Sequence, residues 1–137
     1  MSFSAGDRLA RLGGDPPSPW EEPYGFCRLI KAERRVLVGG TTSIDPSGMV
    51  LGETPYQQTV EIMLKIEHEL ARVGATLEHV VRTRIYVTDI SRADEVGRAH
   101  GERFAGAPPV TSMVEVSALI DPRMFVEIEA EALLDSA

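Results

Sequence analysis

A single cysteine, Cys27, in 137 residues excludes an internal disulfide framework. It agrees with a reducing compartment, and the cytoplasm is the predicted location. Histidine is nearly as scarce: His68, His79 and His100 are scattered with no metal-ligand spacing. No metal and no cofactor is therefore expected. No apolar run approaches the roughly 20 residues that cross a bilayer, and Met1 to Gly14 lacks the apolar stretch of a signal peptide. A membrane is not an expected partner. Positive charge is also in deficit, with 14 Lys and Arg against 21 Asp and Glu and a formal net charge of −7. The local basic runs are only Lys31, Arg34 and Arg35, and the pair Arg82 and Arg84. Proteins that grip phosphate backbones carry a basic surface that displaces counterions, so nucleic acid is not expected either.

What the chain does contain is the balance of a folded domain: 43% hydrophobic and 26% charged residues. Its length fits one hydrophobic core. Residues 1–19, with Gly13-Gly14 followed by Pro16, Pro17 and Pro19, read as a flexible N-terminal arm. Residues 20–137 form the domain proper. Phe26 to Lys31 and Val36 to Val38 predict a hairpin across the polar Ala32-Glu33-Arg34-Arg35 turn. Asp45-Pro46-Ser47-Gly48 predicts a second turn, because proline presets φ and glycine accepts positive φ. Val60, Met63, Ile66, Leu70 and Val73 recur at helical spacing and predict a helix over Pro55–Val73. A second helix is predicted over Ser91–Phe104, with Ser91 as N-cap and Val96, Ala99 and Phe104 on its inner side.

Three strands follow by alternation. Val80–Thr88 sends Val81, Thr83, Ile85 and Val87 one way and Arg82, Arg84, Tyr86 and Thr88 the other. In Thr111–Ser117 the apolar parity is Ser112, Val114 and Val116, with Thr111, Met113 and Glu115 opposite. In Met124–Ala132 the small and aliphatic residues alternate with Phe125, Glu127, Glu129 and Glu131. The fold class is thus α+β in the order ββαβαββ, a mixed sheet with two helices packed on one face. The face away from the helices mixes Arg82, Arg84, Tyr86, Met113 and Phe125 with glutamates. Interleaving charges of both signs with aromatics suits a half-buried interface. A symmetric oligomer with small-molecule clefts between subunits is the expectation.

The ordered motifs then carry a resemblance. Val36-Leu37-Val38-Gly39-Gly40-Thr41 with Asp45, Gln58-Thr59, and Val80-Val81-Arg82-Thr83-Arg84-Ile85-Tyr86-Val87-Thr88-Asp89 precede Pro109, Val114-Glu115-Val116 and Val126-Glu127-Ile128-Glu129-Ala130. Together they resemble the Rid family (also YjgF, or endoribonuclease L-PSP) over about residues 20 to 134. The resemblance implies a chorismate-mutase-like homotrimer with small-molecule pockets between subunits. It also implies metal-free hydrolysis of a reactive enamine or imine, such as 2-aminoacrylate.

In the best-understood members an arginine clamps the substrate carboxylate, which needs a permanently charged bidentate donor. The resemblance puts Thr111 at that position, which marks a divergent subgroup and weighs against standard 2-aminoacrylate deamination. It also puts Phe26 at the family's tyrosine, Cys27 at its serine, Gly40 at the pocket floor, and Glu127 at the retained catalytic glutamate. Glu127 would steer or deprotonate a water, as general base catalysis requires. Its alternative is a strand carboxylate pairing with Arg82 or Arg84. The expected ligand-binding residues are Phe26, Arg28, Gly40, Arg84, Tyr86, Thr111 and Met113, with Arg28 or Arg84 able to replace the missing arginine. A non-catalytic metabolite-binding module is the second reading, and an endoribonuclease the third. Cys27 has no histidine near it in sequence and reads as a buried small hydrophobe.

Overall fold

The computed structural model describes residues 2–5 and 9–137. Its elements are β1 (Ser2–Ala5), β2 (Leu9–Leu12), α1 (Glu21–Tyr24), β3 (Leu29–Ala32), β4 (Arg35–Thr41), α2 (Pro55–Ala71), β5 (Val80–Val87), α3 (Ala93–Arg103), β6 (Val110–Glu115) and β7 (Val126–Leu133). From β3 onward the order is the predicted ββαβαββ. The strands form one mixed sheet in the order β1-β2-β3-β4-β7-β5-β6, antiparallel except for the β5–β6 pair. That parallel pair needs a crossover, and α3 supplies it. No helix among the described residues is long and apolar enough to cross a membrane.

The first hairpin closes on Glu33 and Arg34, with Ala32 opposite Arg35 and Glu33 at φ 56°. Asp45 builds the second turn as expected: its carboxylate accepts from the Ser47 and Met49 amides, and Gly48 takes φ 88°. Thr54 caps α2, its hydroxyl accepting from the Gln57 amide at 3.1 Å, with Pro55 at the first helical position. The inner stripe of α2 is Ile62, Met63, Ile66 and Leu70, all wholly buried. Each such burial is worth roughly 1.5–3 kcal/mol. The stripe packs on Val36, Val38, Ile128, Ala130 and Ala132 of the sheet. Gln58, 1% exposed, joins α2 to the last strand by donating to the Gly52 and Arg123 carbonyls and accepting from the Phe125 amide.

Five expectations change. The predicted flexible arm, residues 1–19, lies partly outside the described residues, but Leu9–Leu12 are paired with β3 rather than unpaired. The prolines that argued against pairing come after this strand. Val60 is only half-buried and Ile62 takes its place, in one row at i, i+4 and i+8 with Ile66 and Leu70. Asp89, not Ser91, caps the second helical segment, which starts as a 3-10 turn over Ile90–Arg92. Val81 is exposed, because the β5–β7 register shifts between Val80 and Arg82 and the extra residue breaks the alternation.

The fifth change concerns β6, whose two faces are exchanged relative to the prediction. Thr111 pairs with Thr83 and Met113 with Ile85, so both lie on the helix side, while Val114 pairs with Tyr86 on the open face. β6 is an edge strand whose valines, Val110 and Val114, lie opposite Arg82 and Tyr86 on the face away from the helices. Its absolute phase is set by β5, not by its own hydrophobicity.

Candidate active site

The site begins with a defect in the sheet. β4 and β7 run in register up to Val38 and Ala130, then shift before Thr41 meets Ile128. The shift falls on Gly39 and Gly40. β7 alternates, with Val126, Ile128, Ala130 and Ala132 buried and Glu127, Glu129 and Glu131 on the open face. The bulge carries the Gly40 backbone beneath the Glu127 carboxylate, which occupies the space a Gly40 Cβ would need. Only glycine fits there without moving Glu127.

Arg28 comes from the segment between α1 and β3. It donates through Nη2 to the Gly40 carbonyl, and its Nε is buried without a hydrogen-bond partner. Phe26 arrives on the same segment, after Gly25 ends α1 at φ 73°. Lys65 reaches in from α2 and donates to the Thr42 carbonyl at 2.6 Å and the Ile44 carbonyl at 2.9 Å. Phe26, Arg28, Gly40, Lys65, Ile120 and Glu127 line one cavity of ≈ 310 Å³. A second, of ≈ 400 Å³, adjoins it and is lined by Gly40, Tyr86, Leu119, Glu127 and Glu129. Glu127 and Gly40 belong to both. Tyr86 donates to the Glu129 carboxylate at 2.5 Å.

Burial raises the pKa of Glu127, with Glu129 adding to the rise and the Arg28 charge opposing it. Burial likewise lowers the pKa of Arg28, against the carboxylates of Glu21, Glu69 and Glu127. Lys65 is pushed down to about 8, first by burial and then by the Arg28 charge. A carboxylate that is easier to protonate therefore shares a cavity with two cations that are harder to keep charged.

Of the residues expected from sequence, the fold brings Glu127, Phe26, Arg28, Gly40 and Tyr86 together. Arg84 lies on the same sheet face but pairs with Glu131 at 3.4 Å, alongside Arg35 at 3.4 Å and Arg82 at 3.9 Å. Thr111 is elsewhere within the chain, its hydroxyl 2.8 Å from that of Thr83, and Met113 packs against the core. Glu115, on that same side, accepts from the Ile90 amide. Cys27 is half-buried with Sγ 3.7 Å from the Leu29 carbonyl. Among the described residues no cluster of His, Cys, Asp and Glu is arranged to hold a metal ion. Lys65 was not singled out from sequence. The available signal was its place beside the α2 stripe, as one of only two lysines in the chain.

Comparison with known proteins agrees with this frame. The family model for endoribonuclease L-PSP matches residues 21–134. An uncharacterised protein of Streptomyces coelicolor is 41% identical over 116 residues, 84% of this chain and 86% of that protein. A crystal structure of a YjgF/YER057c/UK114 family member from Mycobacterium tuberculosis is 44% identical, with a TM-score of 0.83 over 92% of this chain and 99% of that one. The mouse protein 2-iminobutanoate/2-iminopropanoate deaminase is 24% identical over 110 residues, 79% of this chain and 80% of that protein. The chain belongs to the Rid family, known also as YjgF or endoribonuclease L-PSP.

Proposed function

We propose that this protein hydrolyses a small imine or enamine bearing a carboxylate, with Glu127 as general base and Arg28 as the anion anchor. The observation that carries the reading is the half-buried Glu127 carboxylate, its pKa raised by burial, fixed over Gly40 beside the Arg28 guanidinium. Water placed between Glu127 and the C=N carbon loses a proton to the carboxylate as it attacks. The same proton is returned to nitrogen, giving a carbinolamine. The proton of its new hydroxyl then passes through Glu127 to nitrogen, and ammonia leaves as the C–N bond breaks and the carbonyl forms. A carboxyl group whose pKa is raised toward neutrality serves both transfers better than an ordinary glutamate. Arg28 supplies the charge that Thr111 does not, while Arg84 is occupied by Glu131. The name of the mouse relative, an imino acid deaminase, supports the same chemistry.

We further propose a homotrimer that buries the open sheet face. Leu37, Val114 and Leu133 are 36%, 48% and 41% exposed on it, and exposed aliphatics around a polar cluster mark an interaction surface.

The test is ammonia release from a panel of imines generated in situ by an amino acid oxidase, measured against spontaneous hydrolysis. Acceleration for at least one carboxylate-bearing imine is expected. No acceleration for any of them would favour a metabolite-binding module, the reading that the threonine at position 111 supports. Thermal-shift screening would then find ligands that raise Tm without being consumed.

A further inference from the structure

The chain has twelve arginines but only two lysines, Lys31 and Lys65. One of the two stands at the wall between cavities. Lys65, with Arg28, lines both the Glu127 cavity and a neighbouring ≈ 310 Å³ cavity whose apolar side is Pro16, Pro17, Leu51 and Leu64. Its stem packs along α2, and two of its N–H groups are tied to the Thr42 and Ile44 carbonyls. A tetrahedral nitrogen bonded to its own carbon and to two such hydrogens has one direction left, and among the described residues Nζ has no acceptor besides those two carbonyls. In the ammonium form that direction holds the third proton. In the free amine it holds the lone pair.

We propose that Lys65 is a nucleophilic amine that takes small carbonyl compounds, aldehydes and 2-oxo acids, as Schiff bases. The two known routes to such an amine are desolvation and a neighbouring cation, and both operate here, with Arg28 as the cation. The groups opposing them are the carboxylates of Glu69 on α2, Asp45 in the following turn and Glu21 on α1. Their combined pull leaves the amine titrating at about 8. An arginine could make the same carbonyl contacts but could not give up its proton. The step balances without an oxidant. The Nζ lone pair adds to the carbonyl carbon, one proton moves from nitrogen to oxygen, and protonation of that hydroxyl lets it depart as water. The resulting C=N nitrogen keeps one hydrogen for a backbone carbonyl. The Arg28 guanidinium beside it favours carbonyl compounds that carry a carboxylate, which are also the product class of the proposed hydrolysis.

The experiment is trapping. The whole protein is incubated with pyruvate, or with propanal as an uncharged probe, and reduced with borohydride, which delivers hydride to the C=N carbon. Peptide mapping by mass then locates each adduct, which adds the mass of the carbonyl compound less one oxygen. Lys65 should hold roughly a hundredfold more free base at neutral pH than an ordinary lysine. It should therefore label at least about tenfold faster than Lys31 after allowing for its lower intrinsic nucleophilicity. The preference should vanish in denaturant, where both lysines are equivalent. Lys65→Arg, which keeps the charge and the carbonyl contacts, should fold and leave the slow Lys31 label as its sole lysine adduct, the α-amino group being mapped on a separate peptide. Equal labelling of the two lysines in the folded protein, or no label at Lys65, would overturn the proposal. Trapping needs no turnover and is read on Glu127→Gln as well as on the parent chain. Loss of hydrolysis thus leaves the adduct standing, and loss of the adduct leaves the hydrolysis standing.

Discussion

At the scale of single residues, the polar groups inside this protein divide by whether their partners are local. His100 on α3 is 9% exposed, its ring tilted 46° to that of Phe104 with centroids 4.6 Å apart, and its Nε2 lies 2.8 Å from the Thr83 hydroxyl, which in turn meets the Thr111 hydroxyl. Burial lowers its pKa below 6.5. The folded state thus resists a proton that the unfolded chain accepts. Below about pH 6.5 the unfolded state binds more protons, so stability should fall as pH drops through that point toward the lower folded pKa. Urea unfolding at a series of pH values should show this slope, and His100→Gln should flatten it. An unchanged slope in the variant would mean that other groups carry the acid sensitivity. Glu127 has the opposite sign of shift. Its folded pKa is raised, so the protonated form is the one that favours folding. That contribution is present below the ordinary glutamate pKa and is lost as pH rises through the folded one.

At the scale of elements, the Gly39-Gly40 bulge joins fold to chemistry. It shortens nothing in the core, since Val38 and Thr41 remain buried on either side, yet it lets one backbone segment pass beneath a carboxylate. Gly40→Ala should displace Glu127. A misplacement of about 1 Å is enough to lose roughly a hundredfold in turnover. Steady-state assay beside a thermal melt separates this from simple unfolding, because the expected loss of rate is much larger than the loss of folded protein at assay temperature. The helices and hairpins were legible in sequence because their signals are local. The stripe of Met63, Ile66 and Leu70 marked α2, and Asp45-Pro46-Ser47-Gly48 marked the turn that precedes it. The phase of β6 was not legible, because only its pairing with β5 decides which way Thr111 and Val114 face. The bulge at Val81 was hidden for the same reason: alternation assumes an unbroken ladder. In the site, Glu127, Gly40, Phe26 and Arg28 could be picked out by resemblance and residue type. Lys65 could not, since its role depends on two carbonyls more than twenty residues away.

At the scale of the whole molecule, a sheet with α2 and α3 on one side leaves its other side to be covered or solvated. That side carries the Arg35, Arg82 and Arg84 cluster around Glu131, with Leu37 and Leu133 beside it. If three copies bury it, a charge among those leucines is costly. Leu133→Asp should weaken self-association by at least about tenfold, as expected for a residue near the centre of an interface. Sedimentation at several concentrations reads this directly, and a parent protein that sediments as a monomer throughout would remove the trimer. The hydrolytic reading rests on one carboxylate, and the most direct measurement is the turnover of Glu127→Gln on the best imine substrate of the parent protein. The account predicts a fall of roughly 10²–10⁴-fold in kcat, with an unchanged fold and a higher Tm at neutral pH. A variant that turns over at the parental rate would contradict it.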